Sequence, residues 1–130
     1  MLANLLRCLR RLIVRPMNLK EGSVFVADLT TIGRKSGLPR KVELRLVYCG
    51  GHFYATSTRV RGKHWCQNMI KNPSVEVTAA GERFPCVAEQ VADEELRRRI
   101  LTLRDSPPLL DRVVFEMTPK SKLDQSHPAQ

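Results

Sequence analysis

The stretch Lys41-Val-Glu-Leu-Arg-Leu-Val-Tyr-Cys49, then Gly50-Gly51, then His52-Phe-Tyr-Ala-Thr-Ser57, decides the fold. Its first run alternates apolar and polar residues, the period-two pattern of a strand with one buried face. The glycine pair is a hairpin turn signal. The second run, aromatic and β-rich, returns as the paired strand.

Working outward, Ser23–Thr31 is another β-branched, apolar run. The spacing predicts a short helix over His64–Lys71, closed by Asn72-Pro73. Ser74–Thr78 and Glu82–Val91 read as a second hairpin around Ala80-Gly81. Asp93 can cap a longer helix over Glu94–Leu103, which Pro107-Pro108 ends. Val113–Met117 is a last strand, and a tail begins at Lys120. Hairpins dominate, with no regular strand-helix-strand alternation. The expected class is α+β, with six antiparallel strands closed into a small barrel. At 130 residues the chain supports one domain with one core. The barrel domain is expected over 20–119, preceded by a helix over 1–16 and followed by a tail over 120–130.

The first segment, Leu2 to about Val14, is helical in pattern. Leu2, Leu5, Leu6, Leu9, Leu12 and Ile13 fall in one arc, and Arg7, Arg10, Arg11 and Arg15 in the other. Two readings stand: an amphipathic helix lying on the protein's own core, or one lying on an anionic membrane surface through residues 2–15. No apolar run approaches the roughly 20 residues that span a bilayer. The arginines also break any secretory-signal core. A cytoplasmic protein is expected, peripheral on the inner face of the cell membrane in the second reading.

Formal net charge is +9, which favours anionic partners. Aromatic residues make up only 5% of the chain, which argues against a base-stacking platform for single-stranded nucleic acid. The cysteines Cys8, Cys49, Cys66 and Cys86 form no Cys-x-x-Cys pair, and His64-x-Cys66 alone does not make a zinc site. Four reduced, mostly buried thiols are expected, with no metal and no Cys-His dyad.

The densest chemistry lies in Leu29-Thr-Thr-Ile-Gly-Arg-Lys-Ser-Gly-Leu-Pro-Arg40. This turn-rich loop carries Arg34, Lys35 and Arg40, with Lys41 behind. Gly33 and Gly37 are expected to free backbone N–H groups for an anion, while the guanidinium forks bind its oxygens in pairs. The loop matches neither the Walker phosphate loop nor the dinucleotide glycine fingerprint. A solvated hairpin tip is the plain alternative.

Thr30 to Arg40, Trp65-Cys-Gln-Asn68 and Lys71-Asn-Pro73 together resemble the deazaflavin-dependent nitroreductase / deazaflavin-dependent quinone reductase family, whose members are flavin-binding split β-barrels related to pyridoxamine phosphate oxidases. The resemblance runs from about Asp28 to Pro119. It implies a reduced 8-hydroxy-5-deazaflavin coenzyme, a polyanion with a phosphodiester and an oligoglutamate tail, lying in a groove of the barrel. Arg34, Lys35, Ser36, Gly37 and Arg40 would hold the anionic part, by charge-assisted bonds of roughly 1.5–3 kcal/mol each. Leu44 would lie under the ring system and Ser57 near its reactive edge. Trp65 and Asn68, on one face of the short helix, would stand at the groove. The implied activity is hydride transfer to a quinone, nitro compound or other apolar electrophile, and it asks no general base of the protein.

The segment before the last strand, Ser106-Pro-Pro-Leu-Leu-Asp111, carries leucines where nitro- and quinone-reducing members carry tyrosines. The Thr58–His64 loop is short and basic. Two alternatives follow: an FMN-binding split-barrel oxidoreductase, and a non-catalytic carrier of a lipid-like ligand. The expected partners are a small apolar substrate and no nucleic acid, in a monomer or homodimer.

Overall fold

The computed structural model describes residues 19–120. The expected N-terminal helix and C-terminal tail lie outside the described residues. Six strands form one closed barrel: β1 (Val24–Ile32), β2 (Pro39–Cys49), β3 (His52–Ser57), β4 (Ser74–Ala79), β5 (Glu82–Gln90) and β6 (Val113–Pro119). Two helices complete the described chain, α1 (His64–Lys71) and α2 (Glu94–Arg104). The strand order is β1-β2-β3-β6-β5-β4, every pair antiparallel, and β1–β4 pairing closes the ring. The α+β barrel expected from the sequence is the fold observed.

The period-two pattern becomes two packed layers. Ala27 and Leu29 of β1, Leu46 of β2, Phe53 and Ala55 of β3, Val77, Phe84, Phe115 and Met117 fill the barrel interior. Phe53 is wholly buried, with ring centroids 5.2 Å from Phe84, 5.4 Å from Tyr48 and 6.2 Å from Phe25. On the outer face, Val47, Cys49, Tyr54 and Val114 meet Ile100 and Leu101 of α2. Strands β2 and β3 are therefore apolar on both faces where α2 covers them.

Asp93 caps α2 as expected, accepting from the N–H groups of Glu95 and Leu96 at 3.0 and 3.4 Å. Within α2, Arg97 bonds Glu94 and donates through Nη1 to the carbonyls of Leu110 and Arg112, both at 2.7 Å. That arginine pins the α2–β6 connection. Helix α1 packs against β1 and β5. It buries Cys66 and Met69 and sets Trp65 edge-on to Phe115, 6.2 Å between ring centroids.

Candidate cofactor groove

A groove of about 760 Å³ opens between the β1–β2 loop, the first half of β2, and α1 with the turn before it. The β1–β2 loop closes on itself. Gly33 N–H donates to the Leu38 carbonyl and Gly37 N–H to the Gly33 carbonyl, each at 2.8 Å. Ser36 Oγ accepts from the Leu38 N–H at 3.2 Å. Gly37 has a φ of +71°, in the left-handed region that favours glycine. This corrects the expectation that Gly33 and Gly37 offer their N–H groups to an anion. Both are spent inside the loop, and what they supply is a tight turn that aims the side chains.

Arg34, Lys35, Arg40, Lys41 and Lys63 line the groove, with Ser36 and His64 among them. No carboxylate lines it among the described residues. Cations on one rim with low-dielectric walls nearby focus a positive field into the cleft. The floor is apolar: Val42 and Leu44 on the inward face of β2, and Trp65 on α1, all half-buried.

Of the nine residues expected at the cofactor, Arg34, Lys35, Ser36, Arg40, Leu44, Trp65 and Asn68 line one groove. Gly37 and Ser57 are not among its lining residues. Ser57 is 5% exposed, and its hydroxyl donates to the Arg59 carbonyl at 2.8 Å, bracing the loop after β3. Asn68 is 3% exposed, with its amide committed to Arg34 and Thr31. The groove also includes Thr31, Gly33, Lys41, Val42, Gly62, Lys63 and His64, which the site assignment from sequence leaves out. For Val42 the alternation through Leu44 carried the signal, since both share one face of β2. For Lys63 and His64 the sequence held none beyond charge. The leucine-bearing segment 106–111 is absent from the lining, and Leu109 and Leu110 stand partly exposed.

The thiols Cys49, Cys66 and Cys86 are buried, and none of them is in a disulfide. Burial raises the Cys66 thiol above its ordinary value, against the opposing hydrogen bond to Ser57 and charge of Lys63. It is a packed, neutral group rather than a nucleophile. No cluster of metal-ligating side chains occurs among the described residues.

A family model described as F420H(2)-dependent quinone reductase matches residues 10–111. The chain belongs to that family. It is a deazaflavin-dependent oxidoreductase, and the family implies a small quinone-type substrate. Among solved structures, one described as an F420-H2 dependent reductase (FDR-A) is 25% identical, with 71% of this chain and 92% of that chain covered and a TM-score of 0.52. A second, described as an F420 reductase, is 19% identical over 80% of this chain and 91% of that chain, with a TM-score of 0.56. The heme-storage protein HutZ from Vibrio cholerae shares the fold at 18% identity, with 72% of this chain and 80% of that chain covered and a TM-score of 0.58. No curated protein matches the chain in sequence. Family membership favours deazaflavin over the FMN alternative and catalysis over the carrier reading.

The residues present fit the coenzyme. A ligand with a flat ring and a polyanionic tail asks for an apolar floor continuous with a cationic rim, and the described residues of the groove supply both.

Proposed function

We propose that the reduced deazaflavin lies in this groove, ring on the apolar floor and anionic tail on the cationic rim, and serves a quinone or a similarly apolar electrophile. One observation carries the reading: among the described residues, five cations and no carboxylate line a cleft whose floor is Val42, Leu44 and Trp65. The coenzyme supplies a hydride, which with one proton from water reduces a quinone to a hydroquinone. The protein's part is binding and orientation. Lys35, Arg40, Lys41 and Lys63 attract and hold the phosphodiester and glutamate carboxylates. Arg34 meets the same charge from a braced position. Val42, Leu44 and Trp65 exclude water from one face of the ring. Ser57 holds the shape of the 58–63 turn that carries Lys63.

Lys35→Ala and Arg40→Ala test this division of labour. Each is expected to raise KM for the reduced coenzyme about 10-fold and to change kcat little, since the lost contacts hold the tail and not the reacting ring. A fall in kcat at unchanged KM would remove the rim from coenzyme binding.

Residues 2–15 motivate a membrane-surface position for the enzyme, where apolar quinones reside. Leucines would sit at the acyl boundary and Arg7, Arg10, Arg11 and Arg15 on anionic headgroups. Among the described residues no helix is long and apolar enough to cross a membrane. Deletion of residues 1–16 is expected to abolish sedimentation with anionic liposomes. Equal sedimentation with and without the segment would end the membrane assignment.

A further inference from the structure

Two side chains of α1 hold Arg34. Its Nη1 donates to Asn68 Oδ1 at 3.0 Å, and its backbone N–H donates to the same oxygen at 3.1 Å. Its Nη2 lies 3.3 Å from His64 Nδ1. His64 and Asn68 stand four residues apart, on one face of the helix. Asn68 Nδ2 in turn donates to Thr31 Oγ1 at 3.1 Å, and both Asn68 and Thr31 are buried. A chain of hydrogen bonds thus runs from β1 through α1 to the guanidinium. The guanidinium has donors only. A hydrogen bond between them requires His64 Nδ1 as the acceptor, with a ring proton on Nε2.

An arginine on a surface loop samples many rotamers, and fixing one of them on binding weakens affinity. Here both terminal nitrogens and the backbone N–H are already fixed. The remaining guanidinium hydrogens stay available on a residue that lines the groove.

We infer that His64 and Asn68 are positioning residues that pre-set the Arg34 guanidinium as an anion receptor. The inference rests on the reading that the coenzyme's anionic part meets Arg34. His64 touches no ligand in this account; its effect passes wholly through Arg34. The other cations of the rim, Lys35, Arg40, Lys41 and Lys63, lack such a clamp in the described contacts and act as mobile charges.

The test is a fluorescence titration of the full chain with oxidised deazaflavin coenzyme. His64 is exposed, so its replacement leaves the core intact. His64→Leu is expected to weaken binding about 3- to 10-fold, the range of an ordinary hydrogen bond, since the site is exposed and the effect passes through Arg34. His64→Gln, whose amide oxygen can accept from the guanidinium, is expected to restore most of that loss. In an Arg34→Ala background neither change at position 64 is expected to matter. Equal losses in both backgrounds would show His64 touching the ligand directly and overturn the inference alone. Unchanged affinity in Arg34→Ala itself would overturn the underlying reading, because the coenzyme's charge would then lie elsewhere.

A second readout needs no ligand. Nuclear magnetic resonance of the His64 ring should show the Nε2–H tautomer in the wild type and a mixture in Arg34→Ala. The same tautomer balance in both would contradict the clamp. Asn68→Ala, checked for folding by circular dichroism, should likewise weaken coenzyme binding only while Arg34 is present.

Discussion

The Ser36 hydroxyl packs onto the Cα of Gly33 so closely that a Cβ on that glycine would stand 2.6 Å from Ser36 Oγ, and 3.3 Å from the Leu38 carbonyl oxygen. Gly33→Ala would drive the hydroxyl off the Leu38 N–H and loosen the turn that aims Arg34 and Lys35. We expect a stability loss of about 1–2 kcal/mol in urea and weaker coenzyme binding. In a Ser36→Ala background the added cost of Gly33→Ala should shrink. Additive costs would mean that the clash lies elsewhere.

Phe53 joins Phe25, Tyr48 and Phe84 in one aromatic cluster at the centre of the barrel. Phe53→Ala leaves a cavity with no solvent path, and should cost about 3–5 kcal/mol of unfolding free energy. Denaturant titration measures it. A cost below about 1 kcal/mol would mean that the barrel interior collapses freely around the gap.

Arg97 and Arg98 bond the Glu94 carboxylate and hold it down at about 2, against an ordinary 4.5. The folded-state value lies below the unfolded one. This contribution is therefore complete above the ordinary carboxylate range and is lost as pH falls toward about 2. Glu94 is exposed, so the effect is small and salt-sensitive. Glu94→Gln should flatten the pH dependence of the urea midpoint in that interval. An unchanged slope would show that the pair gives no pH-dependent stability.

Tyr54 donates to Glu116 at 2.7 Å beneath α2. Burial, with the adjacent carboxylate, raises its phenol well above the ordinary tyrosine value. A raised value gives stability that is present at neutral pH and lost as pH climbs above the ordinary tyrosine range. In ultraviolet absorbance, Tyr54 should ionise only as the chain unfolds in alkali. Ionisation in the native state at the ordinary value would contradict the contact.

Local chemistry made the elements legible. The alternation over 41–49 and the glycine pair at 50–51 gave the β2–β3 hairpin, and Asp93 gave the start of α2. Strand order was not legible, because period-two alternation tells a residue's face and not its partner. The β1–β4 closure rests on three register pairs, Asp28 with Thr78, Leu29 with Val77 and Thr30 with Glu76, and no turn announces them. The anion site was half legible. Charge and glycine marked residues 33–40, but the bond from Arg34 to Asn68 spans 34 residues of sequence. The sequence therefore placed Asn68 at the groove, which it lines, but gave no sign that its amide braces Arg34. Ser57 ends β3 as expected, outside the groove lining, with its hydroxyl donating to the Arg59 carbonyl.

In the proposed function the rim cations hold a polyanionic deazaflavin. Titrating the protein with oxidised deazaflavin coenzyme and, separately, FMN, at low and high salt, tests it most directly. A preference for the deazaflavin is expected, with affinity that weakens as salt rises and a flatter salt dependence in Lys35→Ala and Arg40→Ala. Equal or tighter binding of FMN, or deazaflavin affinity indifferent to salt and to both substitutions, would contradict it.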